Sequence, residues 1–150
     1  MYVDDDLRRE FNPSVDLTWL SLSKAQKLLC LQAKLSSCRI LPIFTFTANE
    51  WLQQSGEILN RISNQFDKED LIVRSSSTEE DCRYLSNAGA FKSILNVSAL
   101  SESALHNAIK QVVDSMPGEG MDEVLVQPMM TNFHYAGVAS SHCLVNESPY

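Results

Sequence analysis

LIVRSSSTEEDCRYLSNAGAFKSILNV, residues 71–97, is the stretch on which the reading of the chain turns. It opens on Leu71-Ile72-Val73, a β-prone apolar run that predicts a short buried strand. Arg74 stands at the end of that run, and the hydroxyls of Ser75, Ser76, Ser77 and Thr78 follow. A guanidinium fork suits phosphate oxygens, and neighbouring hydroxyls add donors. Glu79, Glu80 and Asp81 come next and repel phosphate unless a cation intervenes or they point away. The plainer alternative is a Ser/Thr cap on a short acidic helix, with Arg74 in an ion pair. Ser86-Asn87-Ala88-Gly89-Ala90 is a run of small residues. It suits either a flap whose amides approach a ligand closely or a plain hairpin turn. Phe91 to Val97, which includes Ser93, is a second strand candidate.

Upstream, Ile40 to Phe46 reads as a strand, and Pro42 places it at an edge or at its opening position. Thr47-Ala48-Asn49-Glu50 is a capping box, with the threonine as cap and the glutamate three residues on. The helix it opens carries Trp51, Leu52, Ile58, Leu59, Ile62 and Phe66 on one side. An earlier helix is expected from Ser21 to Leu35. Residues 1–16 form a polar lead-in broken at Asn12-Pro13-Ser14, and residues 17–150 form one folded unit. Downstream, Ser101 opens a third helix. Its Leu105, Ile109, Val112 and Met116 follow helical spacing, and Pro117-Gly118 stops it. Glu123 to Gln127 is a strand. Tyr135 to Val145 is expected to be another, after a turn near Thr131-Asn132. The alternation predicts an α+β domain with a mixed sheet.

Two further features bear on chemistry. On a helical wheel Lys24 falls between Leu28, Leu31 and Leu35, inside the apolar arc and in the first turn. A lysine aimed at a core needs a partner, and a phosphate at a helix N-terminus is one. A carboxylate partner, or a side chain that snorkels to water, is the other reading. Lys24, Lys27, Lys34 and Arg39 make 21–39 a stretch of four cations and no acid. Val124-Leu125-Val126-Gln127-Pro128-Met129-Met130 is an apolar strand ending in proline and two methionines, which suit a flat aromatic ligand or plain core filling.

Composition narrows the function. The 150 residues carry 19 acidic and 12 basic side chains, for a formal charge of −7. An acidic chain with no long basic stripe argues against nonspecific nucleic-acid binding. No apolar run approaches the roughly 20 residues a membrane span needs. The polar start lacks a signal-peptide core, so a cytoplasmic protein is expected. Cys30, Cys38, Cys82 and Cys143 form no C-x-x-C pair and are expected to be reduced thiols. His106, on a face expected to be exposed, and His134 and His142 show no metal spacing. The standard phosphate loops, G-x-x-x-x-G-K-S/T and G-x-G-x-x-G, are both absent.

The order of these features is more specific than any one of them. Val73 to Ser76, Glu80-Asp81, Ser86 with Ala88-Gly89, and Leu95 to Val97 resemble the V-R-S-S, E-D, S-x-A-G and L-N-V series of one family. That family comprises phosphoenolpyruvate synthase and pyruvate phosphate dikinase, and the series lies in its nucleotide-binding domain. The segment SKAQKLLCLQAKLSSCRILPIFTFT resembles the family's opening lysine helix and strand. EVLVQPMMTNFHYAGV is similar to its V-V-Q-x-M-V…G-V region. The resemblance covers about residues 20–138.

That resemblance implies the first lobe of an ATP-grasp domain in an ATP-dependent phosphotransferase. Lys24 and Arg74 match residues that contact ATP phosphates and serve catalysis. Gly89, with Ser93, matches a flap over the phosphates, and Gln127, Met129 and Met130 match the hinge beside adenine. ATP and Mg2+ are the implied cofactors, with the metal ligands and the remaining domains of the full-length enzyme outside this chain. The fragment alone is then expected to be inactive. Three departures mark a divergent branch. Ser21-Leu22-Ser23 precedes the lysine where glycine is usual. Met116 to Gly120 replaces an R-A-x-x-Y-R segment, and Ala139 to Cys143 replaces F-T-x-D/N-P. The departures are similar to those of bacterial amino-acid kinases such as a glutamine kinase. The acceptor implied is therefore a small molecule, either pyruvate or an amide such as glutamine. The alternative is a noncatalytic nucleotide-binding or interaction module that retains only the lobe.

Overall fold

A computed structural model describes residues 22–77, 92–116 and 122–137. Within them the order is α1 (Lys24–Lys34), β1 (Phe44–Thr47), α2 (Ala48–Phe66), β2 (Asp70–Ser76), β3 (Ser93–Ser98), α3 (Glu102–Val113) and β4 (Glu123–Pro128). The four strands form one antiparallel sheet in the order β1-β4-β2-β3. The fold is α+β, as expected, but the sheet formed by the described strands is antiparallel throughout rather than mixed.

Local chemistry accounts for the helix starts. Thr47 caps α2 through the Glu50 amide at 3.2 Å, while the Glu50 carboxylate takes the Thr47 amide at 2.7 Å. Ser101 caps α3 through the Ala104 amide. Helix α1 starts at a second capping box, Ser23 with Gln26, three residues later than the spacing predicts. Helix α2 is interrupted at Gln54, whose φ of −138° is not helical. The Ser55-Gly56 pair that follows is a common cause of such kinks.

Alternation gives the sheet two different faces. Leu71, Val73, Val124 and Val126, with Phe44 and Phe46, point to one side and are buried. Helices α2 and α3 cover them with Trp51, Ile58, Leu59, Ile62, Phe66, Leu105, Ile109 and Val112, forming one core. Each such side chain contributes roughly 2 kcal/mol through burial. The rings of Phe44, Phe46, Trp51 and His106 stand in sequence, with centroids 6.0, 6.1 and 5.3 Å apart. His106 is therefore half-buried against Trp51 rather than on an open helix face.

Other expectations need correcting. Leu52 is 76% exposed and takes no part in the core; the first turn of α2 faces the sheet through Ala48 and Trp51 instead, and Leu52 lies on the flank of that face. The leucine arc of α1 is not a core face: Leu28 and Leu31 are half-buried, Leu35 is exposed, and among the described side chains Ala25 is the one that the helix buries. Strand β1 begins two residues after Pro42 and lies at a sheet edge, where proline costs no ladder bond. Helix α3 ends at Val113, ahead of Pro117, which lies outside the described residues; Met116 is buried in the turn beyond it. Residues 135–137 are not in a strand, and the rest of the expected Tyr135–Val145 strand lies outside the described residues.

Strand β3 carries a bulge. Leu71 pairs with Val97 and Val73 with Ile94, so Leu95 and Asn96 together oppose Ile72. Asn96 takes φ 55°, the left-handed conformation that asparagine tolerates better than most residues. The extra residue lets Ile94 and Val97, three apart, both turn to the core. Among the described residues no helix is long and apolar enough to cross a membrane.

Candidate functional site

The second face of the sheet holds the candidate residues. On β2, Ile72, Arg74 and Ser76 alternate away from the core, and the register sets Gln127, Leu125 and Glu123 of β4 opposite them. Leu125 is fully buried yet lies outside the core under α2 and α3. Arg74 is not at a strand end: β2 runs two residues further, so its guanidinium rises from within the sheet. It is half-buried, flanked by Ser93 on β3 and Leu125 on β4. Among the described residues its side chain makes no hydrogen bond and no ion pair.

The start of α1 sits at one end of this row. The Ala25 amide donates to the buried Ser76 Oγ at 2.8 Å. Ser23 Oγ donates to one oxygen of Glu123, and Gln26 Nε2 donates to the other at 3.2 Å. The Ser23 amide donates to Gln26 Oε1 and the Gln26 amide to Ser23 Oγ. Three amides of the helix start are thus used within the chain. A phosphate here would have to be met by the Lys24 side chain more than by these backbone donors. Lys24 is half-buried, adjoins Ala25, and so stands at the end of the row two residues along β2 from Arg74.

The other end of the row opens into an apolar cavity of about 410 Å³. Ile72, Leu41, Gln127, Met129, Met130 and Tyr135 line it. Its size lies within the range of small-molecule pockets. The Met129 amide is tied to the Asp70 carbonyl at 2.7 Å, which extends the β2–β4 ladder past Pro128 and fixes the methionine segment. Along β2, Ile72, Arg74 and Ser76 span about 13 Å at roughly 3.3 Å per residue. The arrangement can take an elongated ligand with a flat apolar end and a strongly anionic end.

Of the expected site residues, Lys24, Arg74, Ser93, Gln127 and Met129 therefore lie on or at the ends of one face, with Met130 at the rim of the cavity. Gly89 lies outside the described residues. Ser76, expected in a hydroxyl-rich loop that adds donors to phosphate, ends β2 and spends its oxygen accepting from Ala25; Glu123, Ser23 and Gln26 were not among the expected site residues. The S-x-x-Q spacing of Ser23 and Gln26 was a legible capping signal; nothing in the sequence marked Glu123. Among the described residues no group of three or more His, Cys, Asp or Glu side chains could hold a metal ion.

Residues 49–120 match the family model described as "Pyruvate phosphate dikinase, AMP/ATP-binding domain". The match spans α2, β2, β3 and α3 and includes Arg74, Gly89 and Ser93. It covers just under half of the chain and reaches neither Lys24 nor the Gln127–Met130 segment. No curated protein and no solved structure matches the chain.

Proposed function

We propose that this chain is the ATP-binding first lobe, of ATP-grasp type, of an ATP-dependent phosphotransferase resembling phosphoenolpyruvate synthase. The observation that carries the reading is the half-buried Arg74 guanidinium, without a partner among the described residues, between an apolar cavity and the lysine-bearing start of α1. A buried-side cation left unpaired is costly unless a ligand answers it. A nucleotide answers each part in order: the base against Ile72 and Met129, the phosphates against Arg74 and Lys24. The match to an AMP/ATP-binding domain at residues 49–120 supports the same ligand.

In the intact enzyme, Mg2+ held by residues outside this chain would supply charge neutralisation at the transferring phosphoryl group. Here Arg74 would hold phosphate oxygens through its fork, and Lys24 would add a point charge at the end of the row. Gly89 and Ser93 would contact the phosphates from the flap side, and Gln127, Met129 and Met130 would border adenine. The acceptor is a small molecule, pyruvate or an amide such as that of glutamine, brought by the rest of the enzyme.

Titration of the chain with ATP, with and without Mg2+, tests the lobe. Saturable binding that Arg74→Ala removes, with adenosine still bound, is the result expected. Equal ATP affinity in wild type and Arg74→Ala would refute the assignment. A longer chain that binds ATP but transfers no phosphate would favour a noncatalytic nucleotide-binding module.

A further inference from the structure

Among the described side chains, helix α1 contributes none to the core closed by α2 and α3. Its first turn is brought onto the sheet by the buried methyl of Ala25 and by polar contacts: the Ala25 amide on Ser76, and Ser23 and Gln26 on Glu123. Glu123 answers both of its donors at once, one per oxygen. An amide in its place has a single acceptor oxygen, can meet both partners only if the Ser23 hydroxyl turns round to accept, and carries no charge. The carboxylate also lies at the positive end of α1, whose own first turn holds no acid. Strand β4 thus supplies the helix with the negative charge its sequence lacks. Lys24 lies between Ser23, which Glu123 holds, and Ala25, which Ser76 holds.

We propose that Glu123 is a positioning residue: it clamps the first turn of α1 to the sheet, so that Lys24 meets the phosphates beside Arg74. The inference rests on the nucleotide reading above. Glu123 touches neither base nor phosphate and acts through Ser23 and Gln26 on Lys24.

The test compares wild type, Glu123→Ala, Glu123→Gln, Lys24→Ala and the double variant Lys24→Ala/Glu123→Ala, each titrated with ATP and with adenosine. Amide hydrogen exchange is followed at Ala25, Gln26 and Lys27. Glu123→Ala should weaken ATP about tenfold, leave adenosine within about twofold, and speed exchange at all three amides. Glu123→Gln, which keeps the shape but loses the charge and forces the Ser23 hydroxyl to reverse, should weaken ATP about threefold. In the Lys24→Ala background, Glu123→Ala should change ATP affinity by less than about twofold, because the two act as one unit. Equal losses for ATP and adenosine, or a full loss that persists without Lys24, would overturn the positioning role. So would tighter ATP binding, the result of merely removing a negative charge near phosphate. Unchanged exchange in Glu123→Ala would overturn the clamp itself. A wild-type chain that binds neither nucleotide would refute the nucleotide reading and the positioning role with it, while the exchange comparison would still decide the clamp.

Discussion

Ser76 and Glu123 face each other across β2 and β4, and each holds a different group of the same helix start: Ser76 the amide of Ala25, Glu123 the hydroxyl of Ser23. Removal of the Ser76 hydroxyl leaves a buried N–H without its acceptor. Ser76→Ala should therefore cost about 1–2 kcal/mol in urea unfolding. Ser93→Ala, at an exposed position on the neighbouring strand, should stay within about 0.5 kcal/mol. Equal costs at the two serines would contradict the role given to Ser76.

In the proposed reading Arg74 sets stability against binding. A half-buried guanidinium with no partner among the described residues adds desolvation cost and no compensating bond. Arg74→Met should unfold at the same or a higher urea concentration than wild type, yet lose ATP affinity by at least about tenfold. A clear fall in stability in that variant would show that the arginine is structural.

The bulge on β3 depends on the left-handed backbone of Asn96. Asn96→Gly should be neutral or slightly stabilising, because glycine meets no penalty there. Asn96→Val should cost about 1–2 kcal/mol, read by thermal or chemical unfolding. A valine tolerated without loss would mean that the register of Ile94 and Val97 is set elsewhere.

The caps of the two core helices are separable by the same measurement. Thr47→Ala removes the acceptor for the Glu50 amide and should cost about 1 kcal/mol. Ser101→Ala should do the same at α3 through the Ala104 amide. Because the two helix starts are distant in sequence and share no hydrogen bond among those found, the double variant should show additive losses. A strongly non-additive result would mean that the caps communicate through the core.

The elements that sequence made legible are those governed by neighbours along the chain. Thr47 with Glu50 and the spacing Leu105, Ile109, Val112 fixed the starts and inward faces of α2 and α3, because capping and helical periodicity act within a few residues. Leu52 is apolar by type, yet it lies on the flank of the face that Ala48, Trp51 and Ile58 bury, and residue type alone does not separate flank from centre. As a check, Leu52→Glu should be nearly neutral while Ile62→Ala costs about 2–5 kcal/mol. Two strand residues at Ile94 and Val97 cannot share a face under strict alternation, so the bulge was hidden. The clamp on α1 joins Ser23 to a glutamate 100 residues away, a pairing that no local signal carries. Arg74 was singled out by residue type and neighbourhood, but its place within the strand, in line with the Met129 cavity, emerged only from the register of β2 against β4.

The core lies wholly on the side of the sheet away from Arg74 and α1. In the proposed reading, folding and recognition are therefore written in different residues of the same strands: Val73 and Val126 for one, Arg74 and Gln127 for the other. A library randomised at Lys24, Arg74, Ser93 and Gln127 should retain a single cooperative melt in most of its members while their ligand preferences diverge. Such a chain is free to drift in what it binds without first relearning how to fold.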